Sequence, residues 1–170
     1  MKKLFLVSML AIGMLFAINT ESNAQKWRVG LGAVDFRGEG QIGMDMSLGL
    51  GNFYFGFAGN LTSQRGEYLD FSSGYTYDTG EDNLNVFNFG WFFNVGDRFS
   101  VVPYLGFAQK SDIYQDTYMY DTYFYGDKTT TFNAGGQVYY TLVYFPNSSI
   151  SVYGGMSIAE TWKAGLSLDF

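Results

Sequence analysis

Trp162-Lys163-Ala164-Gly165-Leu166-Ser167-Leu168-Asp169-Phe170 closes the chain. Trp162, Ala164, Leu166, Leu168 and Phe170 alternate with Lys163, Gly165, Ser167 and Asp169. A period of two puts successive side chains on opposite faces of an extended strand, here one apolar and one polar. A helix built from the same residues would scatter the apolar ones around its axis.

The alternation recurs upstream. Apolar faces run through Trp27–Ala33, Ile42–Leu50, Phe53–Leu61, Phe87–Val95, Phe99–Phe107, Phe132–Leu142 and Ile150–Ile158. With the last segment that makes about eight, each of the length a tilted membrane strand needs. The opposite faces carry Arg28, Asp45, Tyr54, Asn88, Tyr104, Lys110, Asn133, Gln137, Tyr139, Lys163, Ser167 and Asp169. Glycines recur between them, where small side chains let a narrow barrel close around larger ones. The predicted fold is all-β: an antiparallel up-and-down transmembrane β-barrel of about eight strands.

Alternation alone also fits a soluble barrel with its apolar face inside. Three features favour lipid outside. The apolar faces are rich in Phe and Trp and free of charge. Trp27, Phe53, Phe99, Trp162 and Phe170 sit near segment ends, as interfacial girdles do. The connections also alternate in length. Those at 50–52, 95–98 and 145–149 are tight and built from turn formers such as Gly51-Asn52, Gly96-Asp97 and Pro146-Asn147. Those at 62–83 and 111–128 are long, while 37–40 and 159–161 are short. An even-stranded barrel with its termini and tight turns on one side has short periplasmic turns and long external loops. The stretch 129–159 carries no charge, but Pro146, Asn147 and its period-two alternation read as a hairpin rather than a helical span.

The first residues are of another kind. Lys2 and Lys3 precede an uncharged, mostly apolar run, Leu4–Ile18, and then a small-x-small junction at Ser22-Asn23-Ala24. This order predicts a cleaved signal peptide over residues 1–24, ahead of one barrel domain over residues 25–170.

Two stretches carry a family resemblance. Lys163, Gly165, Leu168 and Phe170 resemble the C-terminal signature that outer-membrane barrels present to the barrel assembly machinery. Val102-Pro103-Tyr104-Leu105-Gly106 resembles a strand phrase of the small OmpA- and OmpX-type barrels, porin-family-like outer-membrane proteins. The resemblance implies insertion into the lipid of a Gram-negative outer membrane. Family members with a periplasmic peptidoglycan-binding module continue past the barrel. With Phe170 as the last residue, that activity is not expected here.

Composition limits the chemistry. The chain has no His and no Cys. Acyl transfer by Ser usually needs a positioned base, most often His, and thiolate metal sites need Cys. No loop has calcium-loop spacing. An enzyme, a cofactor and a metal site are therefore not expected. The lumen charges Arg28, Asp45, Lys110, Lys163 and Asp169 read as a pairing network, because enclosed charges need partners. A narrow pore for small solutes or ions is the alternative to a filled barrel.

The external loops carry the functional expectation. Residues 62–83 hold Arg65 against five acidic residues, and 111–128 hold Lys128 against four. The second stretch is also Tyr-rich, with Tyr114, Tyr118, Tyr120, Tyr123 and Tyr125. Tyr offers large amphipathic contact area at low entropic cost. The expected role is structural or adhesin-like, binding a surface protein or glycan. Two other readings stay open: acidic groups gathering divalent cations near lipopolysaccharide, or strands that simply continue above the membrane. Nucleic acid is excluded by the sign of the charge.

Overall fold

The computed structural model describes residues 27–37, 40–61, 66–68, 76–117 and 122–170. The expected signal peptide over 1–24 lies outside them. Ten strands follow one another: β1 (Trp27–Phe36), β2 (Ile42–Leu50), β3 (Phe53–Asn60), β4 (Gly66–Tyr68), β5 (Thr76–Trp91), β6 (Phe93–Asn94), β7 (Phe99–Asp116), β8 (Tyr123–Phe145), β9 (Ser148–Ser157) and β10 (Glu160–Asp169). β6 resumes β5 after Phe92 and pairs with the same neighbour, β7. β4 lies parallel to the start of β8. The other strands pair antiparallel with their neighbours, and the β8–β7 and β1–β10 pairings close an eight-stranded ring. All eight alternating segments are wall strands.

The ring's shear can be followed through one row of opposed residues. It runs Tyr140, Val152, Leu166, Leu31, Met46, Phe57, Phe87, Phe107 and back to Phe132 on β8. The circuit returns eight positions from its start, the difference between 140 and 132. Eight strands with a shear of eight tilt by about 36° and enclose a packed core rather than a pore.

Exposure fixes which face is which. Leu31, Leu105, Met156 and Leu166 are more than half exposed, whereas Asp45, Asn133, Ser151 and Lys163 are fully buried. The polar face is inside and the apolar face outside, opposite to a soluble barrel. Positive φ at Gly51 and Gly96 lets two of the tight turns reverse the chain in so few residues.

Two expectations need correction. Residues 76–83, 111–116 and 123–128, read as loop, are mostly strand. Thr76–Asp78 pair with Tyr114–Asp116, and Ile113–Gln115 pair with Tyr123–Tyr125. The Thr, Tyr and Phe content of these stretches suits paired strand, and the last reading above, strands continuing past the membrane, describes them. The lumen is also not uniformly polar. Two residues above the Phe57–Phe87–Phe107–Phe132 row, the outward row reads Gly59, Asn85, Gln109 and Thr130. At that level the inside turns apolar: Val34, Phe36, Ala58, Leu84, Val86 and Ala108 pack as one cluster. The alternation has inverted.

Candidate functional site

Below the apolar cluster the lumen is lined by polar and aromatic side chains. Tyr54, Phe92, Val102, Tyr104, Tyr139 and Tyr153 form a second cluster. Glycines make room for the largest of these rings. A side chain at Gly32 or Gly165 would collide with the Tyr153 hydroxyl or ring, and one at Gly30 would crowd the same ring and collide with Ser47 Oγ. Seated there, Tyr153 donates its hydroxyl proton to Asp45 Oδ2 at 2.7 Å.

The predicted lumen charges separate into three sites along the axis. Arg28 and Asp169, opposed in the β1–β10 register, form a two-point pair at the end of the barrel that carries the strand termini and tight turns, Nε to Oδ1 at 2.5 Å and Nη2 to Oδ2 at 2.8 Å. The Arg28 guanidinium also lies over the rings of Phe92 and Tyr139, 4.3 and 4.8 Å from their centroids. Both contacts match the planar, forked geometry of Arg. At mid-lumen, Lys163 Nζ stands 3.6 Å from Asp45 Oδ1 and 3.6 Å from Glu160 Oε1, and all three side chains are fully buried.

Lys110 is the correction. It joins neither group; its Nζ lies 2.7 Å from Asp82 Oδ2 near the external end, half exposed. Glu160 is the residue sequence reasoning missed. The spacing puts it in the connection 159–161, but β10 begins there. A register shift sets Phe36 opposite Glu160 and Asp35 opposite Trp162. That irregularity breaks the odd-numbered lumen parity of Lys163, Gly165, Ser167 and Asp169, so period-two counting points Glu160 outward.

The rest of the lumen is cross-braced. Tyr54 donates its hydroxyl to Gln137 Oε1, Gln137 donates to the Tyr139 oxygen, and Asn133 donates to Asn88 Oδ1 at 2.8 Å. Tyr104 donates to Glu160 Oε2 at 3.0 Å. These rings and amides are buried around the lumen charges.

The proposed assembly signature holds structural positions. Lys163 is the central lumen cation, Gly165 accommodates Tyr153, and Leu168 and Phe170 are exposed outward.

Outside the barrel, β5, β7 and β8 extend as a sheet, with β4 on the far side of β8. Tyr114, Tyr123 and Tyr125 lie in it, opposite Phe124, Gln115 and Ile113. Tyr118 and Tyr120 lie outside the described residues. β8 pairs with β4 only at Tyr123–Tyr125 and with β9 only from Gly135 onward. Among the described residues, that edge of Gly126–Phe132 therefore has no backbone partner. Acidic groups crowd the opposite side of this sheet: Asp82 stands across from Asp112. Partial burial, then the hydrogen bond and charge of Asp82, raise the Asp112 carboxyl above the ordinary carboxylate value.

This architecture is that of the small eight-stranded outer-membrane β-barrels. Among solved structures the chain is similar to Ail, the attachment invasion locus protein of Yersinia pestis. The TM-score is 0.50 at 14% identity, over 85% of this chain and 95% of that one. Ail in complex with the heparin analogue sucrose octasulfate aligns over the same shares with a TM-score of 0.52 at 14% identity. The N-terminal β-barrel domain of Pseudomonas aeruginosa OprF aligns at 0.47 and 13% identity, over 88% of this chain and 98% of that chain. At these identities the likeness is one of fold. No family model matches the chain, and no curated protein sequence matches it.

Proposed function

We propose that the protein is an exported, non-enzymatic barrel of a Gram-negative outer membrane that binds a surface protein or glycan through its external sheet. The observation that carries this is the length of three strands. β5, β7 and β8 run 16, 18 and 23 residues, against about 9–11 for a membrane crossing. Their outer parts present Tyr side chains and, among the described residues, a strand edge at Gly126–Phe132 without a backbone partner, and both features suit contact with another molecule. In this reading residues 1–24 direct export, Lys163, Gly165, Leu168 and Phe170 address the assembly machinery, and the outward apolar face meets lipid.

The ligand is uncharged or cationic. Ail is described with a polyanionic heparin analogue, but the external stretches of this chain carry nine acidic residues against Arg65 and Lys128. A sulfated ligand would meet like charge there. The pore alternative is disfavoured by the filled lumen and the shear of eight.

The test replaces residues 111–128 with a Gly-Asn turn and measures adhesion of cells carrying each form to host-cell and glycan surfaces. The shortened barrel still inserts but adheres at background level; undiminished adhesion would overturn the reading. Reproducible single-channel steps in planar bilayers would put the pore in its place.

A further inference from the structure

The mid-lumen triad sets two acidic side chains against one amine, all shielded from the solvent outside. Asp45, Glu160 and Lys163 are each fully buried. Asp45 Oδ1 and Glu160 Oε1 have no hydrogen-bond partner, and each lies 3.6 Å from Lys163 Nζ. The remaining oxygens are held by Tyr hydroxyls, Oδ2 of Asp45 by Tyr153 at 2.7 Å and Oε2 of Glu160 by Tyr104 at 3.0 Å. Aromatic walls complete the enclosure: Lys163 Nζ is 4.4 Å from the Tyr104 ring centroid and 5.8 Å from that of Tyr54. Charges kept this far from water are costly unless the geometry is ideal, and 3.6 Å is long for a charged hydrogen bond.

These are the parts of an amide-forming centre. A primary amine faces a carboxyl group, a second carboxylate stands at the amine's other side, and a hydroxyl donor is aimed at the carboxyl oxygen. We propose that Lys163 and Asp45 join through a spontaneous isopeptide bond, with Glu160 as the proton carrier. Glu160 takes a proton from the Lys163 ammonium and passes it to the Asp45 carboxylate. The freed Nζ lone pair attacks Asp45 Cγ, and Tyr153 stabilises the charge that develops on Oδ2. The other carboxyl oxygen leaves as water, taking protons from Nζ by way of Glu160. An ammonium and a carboxylate become a neutral amide and one water, with no oxidant or other reactant. The fold supplies the approach: Nζ stands 3.6 Å from Oδ1, an oxygen bonded to the carbon it attacks, so the amine and the carboxyl group are already held side by side. Water is excluded once the barrel has closed, so the bond forms after folding. It would tie β10 to β2 across the intervening β1.

The experiment is intact-mass spectrometry of the full-length protein purified from membranes, with its N-terminus read from the same sample. The wild-type mass falls short of the sequence mass by one water, and a protease digest yields a branched peptide joining Lys163 to Asp45. K163R keeps a cation in the lumen but lacks the nucleophile, and it shows the full sequence mass. E160Q also stays unlinked. D45N offers an amide to the same amine, so any linked product loses ammonia instead of water. A folded wild-type barrel, verified by its resistance to unfolding in detergent, that shows the full sequence mass would overturn the proposal. So would a branched peptide at any lysine other than Lys163.

Discussion

The barrel is two barrels stacked on one set of strands. In the lower zone, Leu31, Met46, Phe89 and Leu105 face outward while Asp45, Asn88, Gln137 and Lys163 face in. In the upper zone, Val34, Phe36, Leu84 and Val86 are buried inside, while Asn85, Gln109 and Thr130 form the outward row. The wall, pairing and pleat are continuous between them; the surroundings differ. Where lipid surrounds the wall, water cannot hydrate it and apolar side chains must point out. Where water surrounds the wall, the hydrophobic effect packs the apolar side chains inside, as in any soluble barrel. On β5, β7 and β8 the apolar outward face ends between the Phe87–Phe107–Phe132 row and the Asn85–Gln109–Thr130 row, while exposed Ile42 and Leu61 carry it further along the β2–β3 side.

The zones should therefore answer different substitutions. The largest effect belongs to the lower lumen. Lys163→Met removes the amine that faces both carboxyl groups, as ion-pair partner or as amide, and leaves Asp45 and Glu160 buried without it, an expected loss of about 3–5 kcal/mol in urea unfolding from lipid vesicles. Replacing the three together with apolar residues of similar volume should recover most of that loss. If the single change is as mild as the triple one, the lower zone is not held by the Asp45–Lys163–Glu160 group and the contrast fails.

The matching change in the upper lumen is Phe36→Ala. Phe36 is 2% exposed in the apolar cluster, so the cavity left behind should cost ~3 kcal/mol in the same assay. Outside, the order reverses. Leu31→Arg puts a cation against lipid and should cost about 2–3 kcal/mol, whereas Thr130→Arg, exposed in the upper row, should stay within about 0.5 kcal/mol. Equal costs at the two outward positions would remove the boundary drawn here.

What could be read in advance follows the same division. In the lower zone one physical demand, apolar out and polar in, acts on every second residue. Alternation therefore revealed all eight strands, the inward face of Arg28, Asp45, Lys163 and Asp169, and that of Tyr54, Tyr104 and Tyr139. The upper zone reverses that demand without any break in the chain. Val34 and Phe36 fall on the wrong parity for the apolar face that begins at Trp27, and in sequence they look like the end of a strand. Acidic residues among the tyrosines of 76–83 and 111–128 hid pairing that depends on backbone hydrogen bonds. Glu160 was hidden by a register shift, which no periodicity displays. Lys110 was assigned to the lumen by parity alone, yet its partner is Asp82 on the neighbouring strand.

The smallest effect tests the outer end of the upper zone. Asp112 is paired across the sheet with Asp82, and Lys110 and Asp78 are the other charges acting on it. Its carboxyl is raised above the ordinary 3.8, first by partial burial and then by Asp82. A raised acid holds its proton more tightly in the folded state. The stability it adds is complete below the unfolded value of 3.8 and is lost as pH climbs through the higher folded value. The group is partly exposed at the outer end of the sheet, so screening should keep the effect to about 0.5 kcal/mol or less. The measurement compares urea midpoints of the wild type and Asp112→Asn between pH 3 and 7. The wild type should lose ground to the variant as pH rises, and the difference should shrink in ~1 M salt. A difference that runs the other way would mean that Lys110, not Asp82, governs Asp112. The outer sheet would then be braced by an ion pair rather than strained by two facing acids.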